Sequence, residues 1–358
     1  MEALTKWIGC KVKFLDGILP LVPGDIACYY EPFVGGGSLY MGVHDCEKFI
    51  VNDDCVELME LYREAQRPTK VFMSHLKELN ASWRNLTMVF RENATQLTRF
   101  YHDYPEGKDF SYLDYVYALN DALKKAIPYD RVFLQHYTGE DAFEMEKRFQ
   151  FTRMKSRSKD RQFKTEEMLE EYILTALKMA LYSYYIELYN GKNQLTAEFK
   201  KALRVFLLHF SSNGQFVYDR QGEFRPAYAG PQHNGKTMDG KILLLGNEEF
   251  RARLDKTEIQ CKDFREFFRK RRPEAEDFIM VDPPLGDMCK KVGKKTFTPE
   301  DMTDLLAYLR KSKARWMFLA KTVDITPEIS DFASNHFITT VGPHIDVTVI
   351  TNYDTKML

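Results

Sequence analysis

The run Phe278-Ile279-Met280-Val281-Asp282-Pro283-Pro284-Leu285 constrains this chain most. Four consecutive apolar residues of strand type read as a buried central strand. Pro283 and Pro284 have no N–H to give to a ladder, so the strand must stop there. An acid at the carboxyl end of a buried strand points into the crevice where open α/β sheets bind ligands. Asp282 offers a carboxylate there, and the rigid Pro283 a carbonyl in fixed register. Two fixed acceptors can hold an amino group and direct its lone pair outward. Taken alone, the same residues also describe a strand-ending acid before a Pro-Pro turn.

With 358 residues, 44% of them hydrophobic, the chain is long enough for one large core plus a second lobe. The net charge is −1, so any argument for a charged partner must come from local clusters. There is no apolar run near 18 residues, and Met1 to Trp7 lacks the core of a signal peptide. The expectation is an intracellular, soluble protein. Its six cysteines show no CxxC spacing, which predicts reduced thiols. His44 and Cys46 could share a strand face, but no second pair follows, and no metal site is expected.

Upstream, Cys28-Tyr29-Tyr30-Glu31-Pro32-Phe33-Val34-Gly35-Gly36-Gly37-Ser38 reads as a strand, a glycine turn and a helix from about Ser38. Glycines let backbone approach a ligand closely, and N–H groups near a helix start suit polar or anionic groups. Lys48 to Asn52 is a second strand, followed by Asp53 and Asp54. An acid at the end of strand two takes ribose hydroxyls in Rossmann-like folds, and Asp53 is the choice. From about Glu57 to His209 the pattern turns helical. Leu113, Val116, Tyr117, Leu123 and Ile127 form one stripe, and Met168 to Tyr184 marks a long amphipathic helix capped by Thr165. The aromatic segment Leu181 to Tyr189 reads as core. Eight basic residues and one acid lie between Lys147 and Lys164. Such a run is usually a solvated face, but an excess of +7 could also neutralise phosphates; Arg153, Lys155 and Arg157 are the candidates. Alternating residues on both sides of Asp219 to Gly222 predict a hairpin within 213–230. Arg269 to Arg272 is a second basic cluster, and Thr298, Pro299 and Asp301 start a helix.

Taken in order, these segments resemble the Dam-type (class alpha) DNA adenine-N6 methyltransferases. Asp282-Pro283-Pro284-Leu285 resembles the family's Asp-Pro-Pro-Tyr. Lys6-Trp7-x-Gly9-x-Lys11 is similar to the segment that holds the amino-acid end of S-adenosylmethionine. Glu31-Pro32-Phe33-Val34-Gly35-x-Gly37-Ser38 closely matches the methyl-donor loop. Asp263-Phe264 looks like the pocket for the cofactor's adenine. Asn213-Gly214 … Gly222-Glu223-Phe224 resembles a hairpin that enters the DNA major groove. The tail Val349-Ile350-Thr351-Asn352-Tyr353 is also similar.

The resemblance implies an α/β, Rossmann-like S-adenosylmethionine-dependent methyltransferase fold with an inserted, mostly helical target-recognition lobe and a β-hairpin. Residues 1–56 and 236–358 would form the catalytic domain and 57–235 the lobe. Asp282, Pro283, Pro284 and Leu285 would be catalytic. Trp7, Lys11, Glu31, Phe33, Gly35, Gly37, Asp53, Asp263 and Phe264 would bind the cofactor. Asn213, Gln215, Tyr218 and Arg220 would meet double-stranded DNA. A cognate restriction endonuclease is a partner that the resemblance allows.

Three positions depart from the family. Leu285 replaces the aromatic that would stack on a flipped base, Arg225 stands where Asn is common, and Val217 where GATC readers place an arginine. Leu285 supports an alternative, a non-catalytic or weakened DNA-binding homologue. Asp282, Asp53 and the glycine loop support an enzyme. A nicotinamide-dependent enzyme would leave the hairpin and Asp-Pro-Pro without a role.

Overall fold

The structure is a computed structural model that describes residues 3–7, 9–102, 150, 153–154, 163–191, 195–212, 214–285, 297–344 and 346–357. Outside them lie the expected stripe from Leu113 to Ile127, Asn213, Lys155 and Arg157.

Eleven α-helices and seven strands are present among the described residues: α1 (Leu15–Ile18), β1 (Cys28–Glu31), α2 (Ser38–Gly42), β2 (Lys48–Asn52), α3 (Val56–Gln66), α4 (Lys70–His102), α5 (Glu166–Asn190), α6 (Ala197–Phe210), α7 (Asp239–Gly246), α8 (Glu248–Asp255), β3 (Thr257–Gln260), α9 (Phe264–Lys270), β4 (Phe278–Val281), α10 (Pro299–Lys311), β5 (Arg315–Lys321), α11 (Pro327–Ala333), β6 (Phe337–Val341) and β7 (Val347–Thr351).

The chain forms two compact units, Met1–Arg67 with Leu244–Leu358, and Pro68–Leu243. Both boundaries fall later than the expected 57 and 235. The reason is side-chain burial at each edge. Helix α3 buries Leu58, Met59, Leu61, Tyr62 and Ala65, and the following Gln66 donates to the carbonyls of Leu254 and Thr257 at 2.6 and 2.9 Å. At the other edge Trp83 donates to the Lys236 carbonyl at 3.2 Å, and Asn80 accepts from Met238 N–H at 2.8 Å.

The first unit is built on one sheet with strand order β3-β2-β1-β4-β5-β7-β6. All pairings are parallel except those of β7 with β5 and β6. This is a Rossmann-like methyltransferase arrangement. The order reverses between β1 and β4, and ligands bind outside the carboxyl ends of strands at such a switch. Strand β4 is buried throughout, as its apolar run predicts. Ile279, Val281, Trp316, Phe318 and Ile350 pack there with Phe267, Phe268, Leu305 and Phe332 from the helices. Helix α10 carries the expected capping box, Thr298 accepting from Asp301 N–H while Asp301 accepts from Thr298 N–H.

In the second unit α4, α5 and α6 pack on one another. Thr165 caps α5 through the Met168 N–H at 3.2 Å. The expected amphipathic face does not describe α5. From Ile173 to Ile186 every residue but Met179 and Ser183 is buried, and α4 and α6 both pack on this helix. A helix covered all round sits inside a core. The Leu181 to Tyr189 segment is core as expected, with Tyr182, Tyr184 and Tyr185 at most 2% exposed. No described helix is long and apolar enough to cross a membrane.

Candidate active site

The switch between β1 and β4 places Glu31, the last residue of β1, beside Asp282, the first after β4. Lys11 reaches this point from the N-terminal segment. Its ammonium donates to Asp282 Oδ1 and Oδ2 at 2.5 and 2.8 Å and to the Gly9 carbonyl at 3.0 Å. An ammonium has three N–H donors, and these three acceptors engage them. Lys11 is 4% exposed, and the Asp282 side chain 17%. Burial pushes the Asp282 carboxyl above its ordinary value, and the cations of Lys11 and Lys321 oppose that rise. Lys11, expected at a cofactor carboxylate, here pairs with the Asp282 carboxylate. The expectation followed the motif as a linear segment, whereas the partner stands 271 residues away.

Glu31 is 1% exposed and accepts from Tyr29 OH at 2.7 Å. Burial raises its carboxyl well above the carboxylate range, and the negative charges of Asp282 and Asp53 push the same way.

The glycine loop turns with φ of +50° at Gly35 and +80° at Gly37, the left-handed conformation that glycine adopts without strain. It is fastened from three sides. Asp53 Oδ2 accepts from Gly35 N–H at 3.2 Å while its Oδ1 accepts from Cys55 N–H at 3.0 Å. Tyr62 OH donates to the Gly35 carbonyl at 3.0 Å. Trp7 lies over the loop so closely that a Cβ at Gly35 would meet its ring at 2.7 Å. Helix α2 begins at Ser38, as expected.

Phe33 and Phe264 are brought together, their ring centroids 5.6 Å apart, and Phe297 joins both at 5.7 and 5.8 Å. Asp263 caps α9 by accepting from Arg265 N–H at 2.9 Å. Leu285 is half-buried at the edge of the sheet core, and Pro284 is exposed. The Pro283 carbonyl accepts the Leu285 N–H at 2.8 Å, so one of its lone pairs is engaged by its own chain.

Residues 7–183 match the model of the D12 class N6 adenine-specific DNA methyltransferases. The match covers just under half of the chain, 177 of its 358 residues. The matched span takes in Trp7, Lys11, the glycine loop and Asp53. Among similar curated proteins, Type II methyltransferase M1.LlaDCHI of Lactococcus lactis subsp. cremoris is 36% identical over 64 residues, 18% of this chain and 22% of the relative. DNA adenine methylase of Escherichia coli (strain K12) is 28% identical over 113 residues, 32% of this chain and 40% of the relative. Modification methylase StsI of Streptococcus sanguinis is 28% identical over 139 residues, 37% and 21%. The chain thus spans between about one fifth and two fifths of the length of these relatives.

The second unit carries the expected hairpin in reduced form. Among the described residues its bridges are the isolated pairs Ser211 with Tyr228 and Tyr218 with Phe224. The Asn190 side chain on α5 replaces a strand partner: it donates to the Phe224 carbonyl at 2.8 Å and accepts the Phe224 N–H at 2.9 Å. Tyr218 and Arg220 are exposed, as DNA contacts require. Gln215 is 5% exposed, so it is a core residue and not a reader of bases as expected. Alternation made it a face residue, but Phe216 beside it is buried too, because the strand sinks into the lobe. Arg153 is exposed.

Arg225 is held by three carboxylates: Asp219 at 2.9 Å, Glu223 at 2.5 Å and Glu187 of α5 at 2.5 Å. It therefore clamps the hairpin to α5. Arg225→Ala is expected to speed hydrogen exchange at the amides of Asp219 and Glu223 by about tenfold. Unchanged exchange would mean that Asn190 alone holds the hairpin.

Sequence reasoning missed Tyr62, Phe297 and Lys321. Lys321, at the carboxyl end of β5, had a readable signal: a cation closing a buried strand run. Tyr62 and Phe297 had none, since each is an ordinary aromatic in its own segment.

Proposed function

We propose that this chain transfers a methyl group from S-adenosylmethionine to the N6 amine of an adenine in double-stranded DNA, as a member of the D12 class of methyltransferases. The observation that carries the proposal is the Asp282 carboxylate at the switch of the sheet, held by Lys11 at 2.5 and 2.8 Å. The loop supports a donor site, because its glycines hold positive φ and Asp53 stands at its edge. When bound, S-adenosylmethionine supplies a methyl on a positively charged sulfur.

The chain's own residues do the rest. An adenine amine is a weak nucleophile, since its lone pair is shared with the ring. Asp282 accepts one N–H, and the second lone pair of the Pro283 carbonyl accepts the other. The nitrogen lone pair is then turned towards the methyl, and fixed placement lowers the barrier. As the nitrogen becomes positive, the carboxylate stabilises it. A carboxyl held above its ordinary value is also the better acceptor for the departing amine proton. Lys11 opposes the rise and so favours the ionised form of that carboxyl. The base must leave the duplex to arrive there. The names Type II methyltransferase and Modification methylase extend the proposal to partnership with a cognate restriction endonuclease.

Leu285 favours a second reading, a DNA-binding homologue without chemistry. Base–aromatic stacking is worth roughly 1–3 kcal/mol, and leucine lacks the π-face. The test is to incubate the protein with duplex DNA and S-adenosylmethionine and measure N6-methyladenine. DNA binding without any methylated adenine would select the second reading.

Asp53→Ala is expected to weaken S-adenosylmethionine binding by about ten- to a hundredfold in calorimetry, since it removes both a ribose acceptor and the Gly35 tether. Equal affinity in the variant would separate Asp53 from the donor site.

A further inference from the structure

The basic run Arg269 to Arg272 has no part in the site described above. It closes α9, which lies beside β3, a strand that among the described residues pairs with β2 and forms an edge of the sheet. Between the two lies a cavity of about 330 Å³ lined by Gln260, Lys262, Phe267, Lys270 and Arg271. Its wall holds three cations and no carboxylate. The acids next to it are shared. Glu258 takes both Lys48, at 2.7 Å, and Arg271, and Glu266 takes both Lys262 and Lys270, at 3.6 and 3.0 Å. Four cations thus share two carboxylates.

Lys262 and Lys270 both pair with the same oxygen of Glu266, at 3.6 and 3.0 Å. A purely solvated charge network would let two such groups part, because like charges repel. Here Lys262 cannot retreat with its backbone. Its N–H and carbonyl are both bound by the Asn52 side chain, at 3.0 and 2.9 Å. The Arg271 N–H is likewise fixed on the carbonyls of Phe267 and Phe268. The backbones that carry two of the cations are therefore held in place around a concave, net-positive space with the ring of Phe267 in its wall.

We propose that this groove is an anion site that takes a phosphate group, the charge of a phosphate matching the two uncompensated cations. The phosphate comes either from the DNA backbone or from a free phosphate ester. The site itself does not rest on the methyltransferase reading; only the DNA arm of its test does.

The test uses the full chain and two probes. Inorganic phosphate, added in the millimolar range, is expected to protect Lys262 and Lys270 from acylation, read residue by residue by mass spectrometry. Lys256 and Lys313 serve as exposed references. The same protection by a short duplex is read in parallel. Lys262→Gln with Lys270→Gln keeps both side-chain stems and is expected to weaken phosphate binding about tenfold. If the DNA backbone is the source, the double variant also flattens the salt dependence of duplex affinity by about one unit of slope. If a free ester is the source, adenosine monophosphate protects the lysines and the slope stays unchanged. Absence of protection by phosphate, adenosine monophosphate and duplex alike overturns the proposal without touching the methyltransferase reading, which is measured by N6-methyladenine.

Discussion

Asp282→Ala is expected to lower the rate of methyl transfer by about 10²–10³-fold or more, the loss seen when one preorganised stabilising group is removed. S-adenosylmethionine affinity should change little, because the carboxylate is engaged by Lys11 and the glycine loop is held by Asp53 and Tyr62. The variant also leaves the buried Lys11 ammonium without its partner, so the melting temperature must be measured beside the rate. Asp282→Asn separates the two effects. It keeps the shape and one acceptor but removes the charge, and the rate should fall nearly as far. Single-turnover kinetics on duplex DNA, with calorimetry for the cofactor, decide the matter. A rate within threefold of wild type in either variant would remove Asp282 from the chemistry.

The second large effect is expected at Lys11 and depends on pH. Burial raises the Asp282 carboxyl, and Lys11 is the main group opposing that rise. Lys11→Met should therefore lift the carboxyl further. Catalysis needs the ionised form, so the acid limb of kcat/KM lies above the ordinary aspartate value of about 3.9 in the wild type and moves to higher pH in the variant. Stability moves the opposite way. A carboxyl whose folded value exceeds its unfolded one makes the native state bind the proton more tightly. Stability is then greatest on the acid side and is lost as pH rises through the window between the two values. In Lys11→Met that window widens upwards. The variant should accordingly lose activity at low pH and thermal stability at higher pH. The stability loss is bounded by the roughly 3–5 kcal/mol seen when a buried pair is broken from one side. A pH–rate profile and a series of thermal melts read both limbs. If Lys11→Met leaves the acid limb in place, the ion pair only fastens the N-terminal segment.

These two residues also show what could be read before folding. The β4 run, its proline stop and the acid between them are local features. Strand type follows from apolar continuity, and the stop from the missing N–H, so Asp282 could be placed at a strand end directly. The glycine loop was equally legible, because positive φ at Gly35 and Gly37 is a backbone requirement that few residues meet. Thr165 and Thr298 were legible as caps for the same reason: a cap acts within three residues.

Other features depended on neighbours remote in sequence. Met168 to Tyr184 shows an amphipathic spacing, yet the middle of α5, from Ile173 to Ile186, is buried on nearly every side where α4 and α6 pack on it. Gln215 alternates as a face residue and is buried for a similar reason. The lobe begins at 68 and not at 57, since α3 spends its apolar face and Tyr62 on the sheet unit.

By itself, then, the sequence determined the strand ends, turns and caps of this protein, and with them Asp282, Asp53 and the glycine loop. These rest on hydrogen bonds and dihedral preferences within a few residues. Only the tertiary structure decided that Lys11 pairs with Asp282, that Arg225 is a clamp, and that Phe297 joins Phe33 and Phe264. Each of those joins side chains from separate elements, and no local preference of either partner encodes the meeting.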